Sequence, residues 1–233
     1  MAIRRATRFT SWSFSRYADY RKCPLRAKLK HLDKIPEPQN PAAARGQDIG
    51  ERLDKYLKRQ TPTLPVECKP LKAEYAFLRK QKNNFVEEMW GFNQDWEVVP
   101  WNDWNNCWLR VKVDVGYQDL KENILHVIDN KTGKYKPEEQ SAYTEQLELY
   151  TVAGIVMFPT ANEVHTRLYY SDHGIQHPIE GPMIYSAKDA VKLRKTWTKR
   201  VQPMFNDTRF AQLPGRHCSW CPYSKNKGGQ CKY

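Results

Sequence analysis

Two neighbouring stretches decide the fold: Leu109-Arg-Val-Lys-Val-Asp-Val-Gly116 and Ile124-Leu-His-Val-Ile-Asp-Asn-Lys-Thr-Gly133. In the first, Val111, Val113 and Val115 alternate with Lys112 and Asp114, the period of two shown by a half-buried strand. In the second, Ile124, Leu125, Val127 and Ile128 form an apolar lead-in that carries Asp129 toward the core, and Thr132-Gly133-Lys134 then breaks into a turn. Residues i and i+2 of a strand share a face, so Asp129 and Lys131 aim into one pocket. If the two stretches pair as a hairpin, Asp114 reaches that pocket as well.

Two carboxylates a few ångströms apart repel each other unless a cation sits between them, and together they make an oxygen-rich site for Mg²⁺ or Mn²⁺. Such an ion activates water and stabilises charge on a phosphate in transfer. A lysine beside it orients the attacking water or neutralises developing charge. Asp114, Asp129 and Lys131 therefore form a kit for phosphodiester hydrolysis. Asp-x-Lys alone occurs by chance in most proteins, and a solvated strand end is the plain alternative. The apolar lead-in favours the functional reading, because a buried carboxylate needs a partner.

Working outward, Phe85–Phe92, Trp96–Trp101, Trp108–Tyr117 and Ile124–Asn130 read as successive antiparallel strands. Glu138–Met157 reads as a long helix, with Tyr143, Leu147, Tyr150 and Ile155 on its apolar side. Val164–Tyr170 is a further strand, and Ser186–Phe205 a basic helix. Upstream, two short helices broken at Pro24 cover residues 9–33, residues 34–42 form a proline-bearing loop, and helices follow at Arg45–Lys58 and Ala73–Gln81. Helices, then strands, then helix, strand and helix predict an α/β (α+β) fold, with a central mixed sheet flanked by helices. The chain reads as a single domain over 1–233, with 85–171 as the catalytic sheet and helix and with 1–35 and 206–233 as a clasp.

The 233 residues carry a net charge of +12 and 27% charged residues, with no 18-residue apolar run for a membrane span. The basic excess favours a polyanion such as nucleic acid, with mere solubility as the plain alternative. The N-terminus is basic without an apolar stretch behind it, which points to the cytoplasm. Arg16, Arg21, Lys22, Arg26, Lys28 and Lys30 make one basic stretch. Lys188, Lys192, Arg194, Lys195, Lys199 and Arg200 make another. Of the tryptophans, Trp90, Trp96, Trp101, Trp104 and Trp108 read mostly as core, with one or two free to stack on unpaired bases.

Three of the six cysteines crowd into the tail: Cys218-Ser-Trp-Cys221 and then Cys231. In a cytosolic chain this clustering reads as metal ligation. Cys23, in Lys22-Cys23-Pro24, is the candidate fourth ligand, whereas Cys68 and Cys107 stand apart. Four thiolates hold Zn²⁺ or a [4Fe–4S] cluster, and spacing does not choose between them. His217 could replace one sulfur, although a surface histidine is the plainer reading. A link from residue 23 to 218–231 would stabilise by restricting the unfolded chain.

These motifs together resemble the RecB-type branch of the PD-(D/E)xK nucleases, which have a restriction-endonuclease-like core and include CRISPR-adaptation nucleases, AddB-type nuclease domains and phage exonucleases. Ser13-Phe-Ser-Arg-Tyr17 through Cys23-Pro24, Arg45-Gly-Gln-Asp-Ile-Gly50, Leu109–Asp114, Ile128–Lys134 and Gln146-Leu-Glu-Leu-Tyr150 appear in the family's order, from about residue 11 onward. The resemblance implies that Asp114, Asp129 and the Asn130 carbonyl bind the metal and that Lys131 is catalytic. Gln146 and Tyr150 would shape the site or touch DNA, and Arg16, Arg21, Lys134 and Lys195 are candidate DNA contacts. It favours [4Fe–4S] over zinc at Cys23, Cys218, Cys221 and Cys231, although the interval before Cys231 is longer than usual. The family histidine falls on Gly50, where Asp54 or Glu51 could substitute as ligand. The implied function is a Mg²⁺- or Mn²⁺-dependent exonuclease acting on DNA with free ends or single strands, in recombination, repair or phage DNA metabolism, with a recombination or replication protein as a possible partner. The alternatives are a structure-specific or nicking endonuclease, a non-catalytic DNA-binding protein that kept the fold, and a zinc-ribbon protein binding RNA or a protein partner.

Overall fold

The computed structural model describes residues 7–38 and 40–233, which divide into two compact units. One comprises residues 40–195; the other combines the N-terminal segment to residue 39 with 196–233. No helix among the described residues is long and apolar enough to cross a membrane.

The larger unit is built on a seven-stranded mixed sheet. Its strands are β1 (Asn84–Phe92), β2 (Val98–Val99), β3 (Leu109–Asp119), β4 (Ile124–Lys131), β5 (Glu163–Tyr170), β6 (Ile175–His177) and β7 (Met183–Ser186). The order is β2-β1-β3-β4-β5-β6, with β7 also on β5. β3 and β4 do form the antiparallel hairpin expected from the sequence, in the register Val115↔Ile128 to Asp119↔Ile124. β4 and β5 run parallel, with Asp129 opposite Leu168 and Lys131 opposite Tyr170. A parallel pair needs a crossover; α5 (Gln140–Met157) supplies it.

α5 lies close to β4 because Gly154 has no side chain. A Cβ there would come 2.7 Å from Leu125 Cδ2. A second apolar layer packs α3 (Pro41–Leu57) and α4 (Lys72–Lys80) on the sheet. Ile49, Leu53, Tyr75 and Leu78 from the helices meet Val86, Val115, Ile128 and Tyr169 from the strands.

Three expectations need correction here. The strand expected at Trp96–Trp101 shrinks to Val98–Val99. Trp96 sits at φ 65° in a turn, where Asn93 Oδ1 accepts the N–H groups of Asp95 and Glu97. The loop expected to reach residue 42 ends earlier: α3 starts at Pro41, with Asn40 Oδ1 accepting the Ala42 N–H. Proline at a first helical position costs nothing, since its missing N–H would be unpaired anyway. Finally, β6 and β7 lie where no strand was expected, both short and both on the edge of β5.

In the smaller unit, α1 (Phe14–Lys22) is capped by Ser13, and Pro24 opens the four-residue α2 (Pro24–Ala27), the break expected from the sequence. Trp12 stacks on Trp197 of α6 (Ala187–Asn206) at 5.5 Å, and Tyr17 meets the same indole edge-on at 5.4 Å. Both indoles are fully buried. The tail from Gly215 folds in short 3₁₀ turns, and the Tyr223 hydroxyl donates to the Ile35 carbonyl at 2.9 Å.

Candidate active site

The β3–β4 ladder stops at Val115↔Ile128, one pair short of where Asp114 would face Asp129. Beyond that point the Asn130 N–H donates to Asp114 Oδ2 at 2.7 Å. A side-chain acceptor thus replaces a strand partner, and the carboxylate is fixed by a backbone group.

Asp129 is 3% exposed. Its Oδ1 accepts the Tyr150 hydroxyl at 2.6 Å and the Gln146 carboxamide at 3.0 Å, both from α5. Gln146 Nε2 also donates to the Tyr150 oxygen at 3.0 Å. The i, i+4 spacing puts both side chains on one helix face. Asp129 Oδ2 is buried, and the Lys131 ammonium pairs with it at 2.5 Å. The two side chains share a face of β4, as expected from the sequence.

The electrostatics follow from this crowding. Burial, and then the nearby Asp129 charge, push the Asp114 carboxyl up to about 8. Burial would depress the Lys131 ammonium, yet Asp129 and Asp114 outweigh it and hold it above its ordinary value. Burial and the same two carboxylates keep the Tyr150 phenol protonated, well above its usual range. Two acids and one base are thus locked together, with Tyr150 as a permanent donor.

Beside them, a cavity of about 180 Å³ is lined by Asp54, Glu87 and Asp114, together with Asn130, Gly50 and Thr132. Gly50 has nothing within 4 Å of a would-be Cβ, so the place of the family histidine is open space. Asp54, one turn along α3, faces the cavity, and burial followed by repulsion from Glu87 pushes its carboxyl up to about 6. Glu51 does not line it; it is exposed and accepts from Gln47 at 3.0 Å. Sequence reasoning missed Glu87. It lies opposite Asp114 where the β1–β3 ladder skips a pair, at φ 60° and ion-paired to Lys112. A left-handed glutamate inside a strand is uncommon and strained. The signal available was the Glu87-Glu88 pair interrupting the alternation of β1.

Among the described residues, no three His, Cys, Asp or Glu side chains stand close enough to hold one metal ion together. The donor chemistry still fits a hard cation: the buried Asp129 carboxylate and the carboxylates of the adjoining cavity are all oxygen ligands. The four cysteines tell a similar story. Cys23, Cys218, Cys221 and Cys231 line one cavity of about 20 Å³ in the smaller unit, with His217, while Cys68 lies in the sheet core. They converge without forming a coordination shell.

The expected DNA contacts fare unevenly. Arg21, Lys134 and Lys195 are exposed, whereas Arg16 donates to the Ser11 hydroxyl at 2.9 Å. Of the N-terminal basic stretch, Lys28 pairs with Asp33, and Arg26 and Lys30 pair with Asp19 and Glu37. The second half of that stretch is thus salt-bridged, while Arg21 and Lys22 lie over the Tyr17 and Trp220 rings. Trp90, Trp96 and Trp108 are core, but Trp104 is 73% exposed with the Arg110 guanidinium 4.5 Å from its ring centroid.

With the geometry in hand, comparison with known proteins gives a class. The chain matches the family model of the PD-(D/E)XK nuclease superfamily over residues 11–225 and belongs to that superfamily, which implies a hydrolase acting on nucleic acid. Among solved structures it is similar to a provisionally assigned exonuclease from Eubacterium rectale, at 11% identity and TM-score 0.45, covering 84% of this chain and 82% of that one. It is also similar to the protein SSO0001, at 12% identity and TM-score 0.35, covering 94% and 86%. Neither likeness bears on activity. No curated protein sequence matches the chain.

Proposed function

We propose that the chain is a Mg²⁺- or Mn²⁺-dependent deoxyribonuclease that removes nucleotides from DNA ends. The observation that carries the reading is the buried Asp129 carboxylate, with Oδ1 held by Tyr150 and Gln146 and Oδ2 turned to Lys131. Burying a carboxylate is costly, and the two α5 donors hold it in one orientation.

Asp114 and Asp129 would hold the cation, with the Asn130 carbonyl as a further ligand and Asp54 in the place left open by Gly50. Glu87 lines the same cavity and adds a carboxylate there. A bound divalent cation would supply Lewis-acid chemistry: acidified water and charge stabilisation on the phosphate. Lys131 Nζ, 2.5 Å from Asp129, stands where it can donate to a phosphate oxygen or orient the attacking water. Tyr150 and Gln146 keep Asp129 from rotating. Exposed Lys134 and Lys195 are the basic side chains that suit backbone contacts.

The preference for ends over internal bonds, and for recombination, repair or phage DNA metabolism, rests on the resemblance of the motifs. In the same reading, Cys23, Cys218, Cys221 and Cys231 hold a [4Fe–4S] cluster that stiffens the smaller unit, supported by their sharing one cavity. Iron and acid-labile sulfide in anaerobically purified protein, in a four-to-four ratio, test the cluster; one zinc per chain would replace it. The activity is tested with end-labelled linear and closed circular DNA, each with Mg²⁺ and Mn²⁺. Mononucleotide release from linear DNA alone supports the reading, whereas nicking of the circle assigns an endonuclease.

A further inference from the structure

The cavity of about 220 Å³ on the α4 side of the sheet is not part of the candidate active site. Its floor is three strands wide. Tyr117 on β3 stacks on His126 on β4 at 4.3 Å between ring centroids, and His126 meets His165 on β5 edge-on at 5.0 Å. The register places these rings directly opposite one another. Arg167, two residues beyond His165 on the same face of β5, completes the polar half. Its Nε is buried without an acceptor. Phe77 and Pro182 make an apolar side. His126 and Asp129 lie three positions apart on β4, so their side chains leave opposite faces.

None of the described residues lining the cavity is a carboxylate. Glu163 is engaged by His165 Nε2 at 2.9 Å, and Asp119 accepts the Lys121 and Glu122 N–H groups. Arg167 is tied to Gln176, a neutral partner whose carboxamide in turn donates to Glu74 at 3.0 Å, so the nearest acid beyond it is already engaged. A guanidinium whose Nε lacks an acceptor, beside two imidazoles and with no carboxylate among the described lining residues, leaves a donor set open to an anion. The cavity is smaller than the roughly 300–1,000 Å³ usual for drug-sized ligands, and far larger than the roughly 30 Å³ of one liquid water. That range suits a tetrahedral oxyanion, and planar guanidinium forks match phosphate oxygens well.

We propose that this cavity binds a phosphate monoester, with Arg167 as the anion-holding group and the His126 and His165 rings beside it. The apolar side at Phe77 and Pro182 favours an organic monoester, such as a nucleoside monophosphate, over bare phosphate. The site is distinct from the metal-binding carboxylates and does not rest on the nuclease reading. In the empty cavity, burial followed by repulsion from His165 depresses the His126 imidazole to about 4. A bound dianion reverses the sign of that local charge.

The test is imidazole NMR of metal-free protein, titrated separately with inorganic phosphate, a nucleoside monophosphate, and an oligonucleotide with or without a 5′-phosphate. The expected result is a saturable shift of the His126 and His165 ring signals, an upward move of the His126 titration, and tightest binding for the nucleoside monophosphate. Arg167→Gln weakens binding about tenfold, the loss of one charge-assisted hydrogen bond, and Arg167→Lys recovers part of it. Response to inorganic phosphate at the same concentrations assigns recognition to the phosphate group alone. Response only to the 5′-phosphorylated strand assigns the source as a DNA end. No saturable shift with any ligand, or equal binding by folded Arg167→Gln, overturns the proposal. If Arg167→Gln does not fold, the wild-type titration decides alone.

Discussion

Asp114 Oδ2 accepts the backbone N–H of Asn130 at 2.7 Å, and Asn130 Oδ1 in turn accepts the Tyr75 hydroxyl at 2.9 Å. Tyr75 also shares a 2.7 Å hydrogen bond with Ser171, so Asn130 is anchored from the α4 layer while its N–H holds the acid. The two strands separate at this point, and the carboxylate bridges the gap. Asp114 thereby stays beside Asp129 at an electrostatic cost, which a divalent cation would relieve.

That cost has a pH signature. An acid whose folded pKa is raised keeps a proton that the unfolded chain has already lost. Metal-free stability therefore falls as pH rises from the ordinary carboxylate range to about 8, and levels off above it. Asp114→Asn removes this slope. It should melt higher than wild type in the alkaline part of that window without metal, yet lose cleavage. Thermal melts across about pH 5 to 8 check this, and parallel slopes in the two proteins count against it.

Tyr150 and Gln146 position Asp129, and neither need touch the substrate. Tyr150→Phe removes the 2.6 Å donor and Gln146→Ala the 3.0 Å one. Losses of such supporting groups typically cost about 10–100-fold in metal affinity or activity. We expect that range in Mn²⁺ affinity and in kcat, with KM for DNA unchanged. A change confined to KM would instead make them DNA contacts.

Asp54 and Glu51 sit three apart on α3, yet only Asp54 lines the acidic cavity. Asp54→Asn should weaken Mn²⁺ binding severalfold, and Glu51→Gln should leave it untouched. Calorimetric titration of the two variants side by side measures the difference. Equal effects would remove Asp54 from the metal site.

The smaller unit hangs on Trp197, which is fully buried against Trp12 and Tyr17. Trp197→Ala should destabilise by about 3–5 kcal/mol, the range for emptying an aromatic from a packed core. Denaturant unfolding followed by tryptophan fluorescence checks it, and a loss well under about 1 kcal/mol would mean the site collapses around the gap.

Much of this was readable from the chain because the relevant signals are local. The alternation around Val113 and the apolar run before Asp129 specify two adjacent strands, and i, i+2 parity alone puts Asp129 with Lys131. Gln146 and Tyr150 share a helix face by spacing alone. What stayed hidden depends on tertiary partners. β6 and β7 are short edges defined by pairing with β5, with little apolar pattern of their own. Trp96 looks like strand because it is aromatic, but it enters the core from a turn. Glu87 reaches Asp54 and Asp114 only because β1 lies beside β3 and α3 crosses nearby, and no spacing rule in a single sequence encodes that.

The most direct measurement is cleavage of linear DNA as Mn²⁺ is titrated into wild type, Lys131→Ala and Asp129→Asn, with metal binding followed in the same samples. Wild type should bind and cleave. Lys131→Ala should bind while losing about 10²–10⁴-fold in rate, and Asp129→Asn should do neither. Metal-dependent cleavage by Asp129→Asn at the wild-type rate would contradict this.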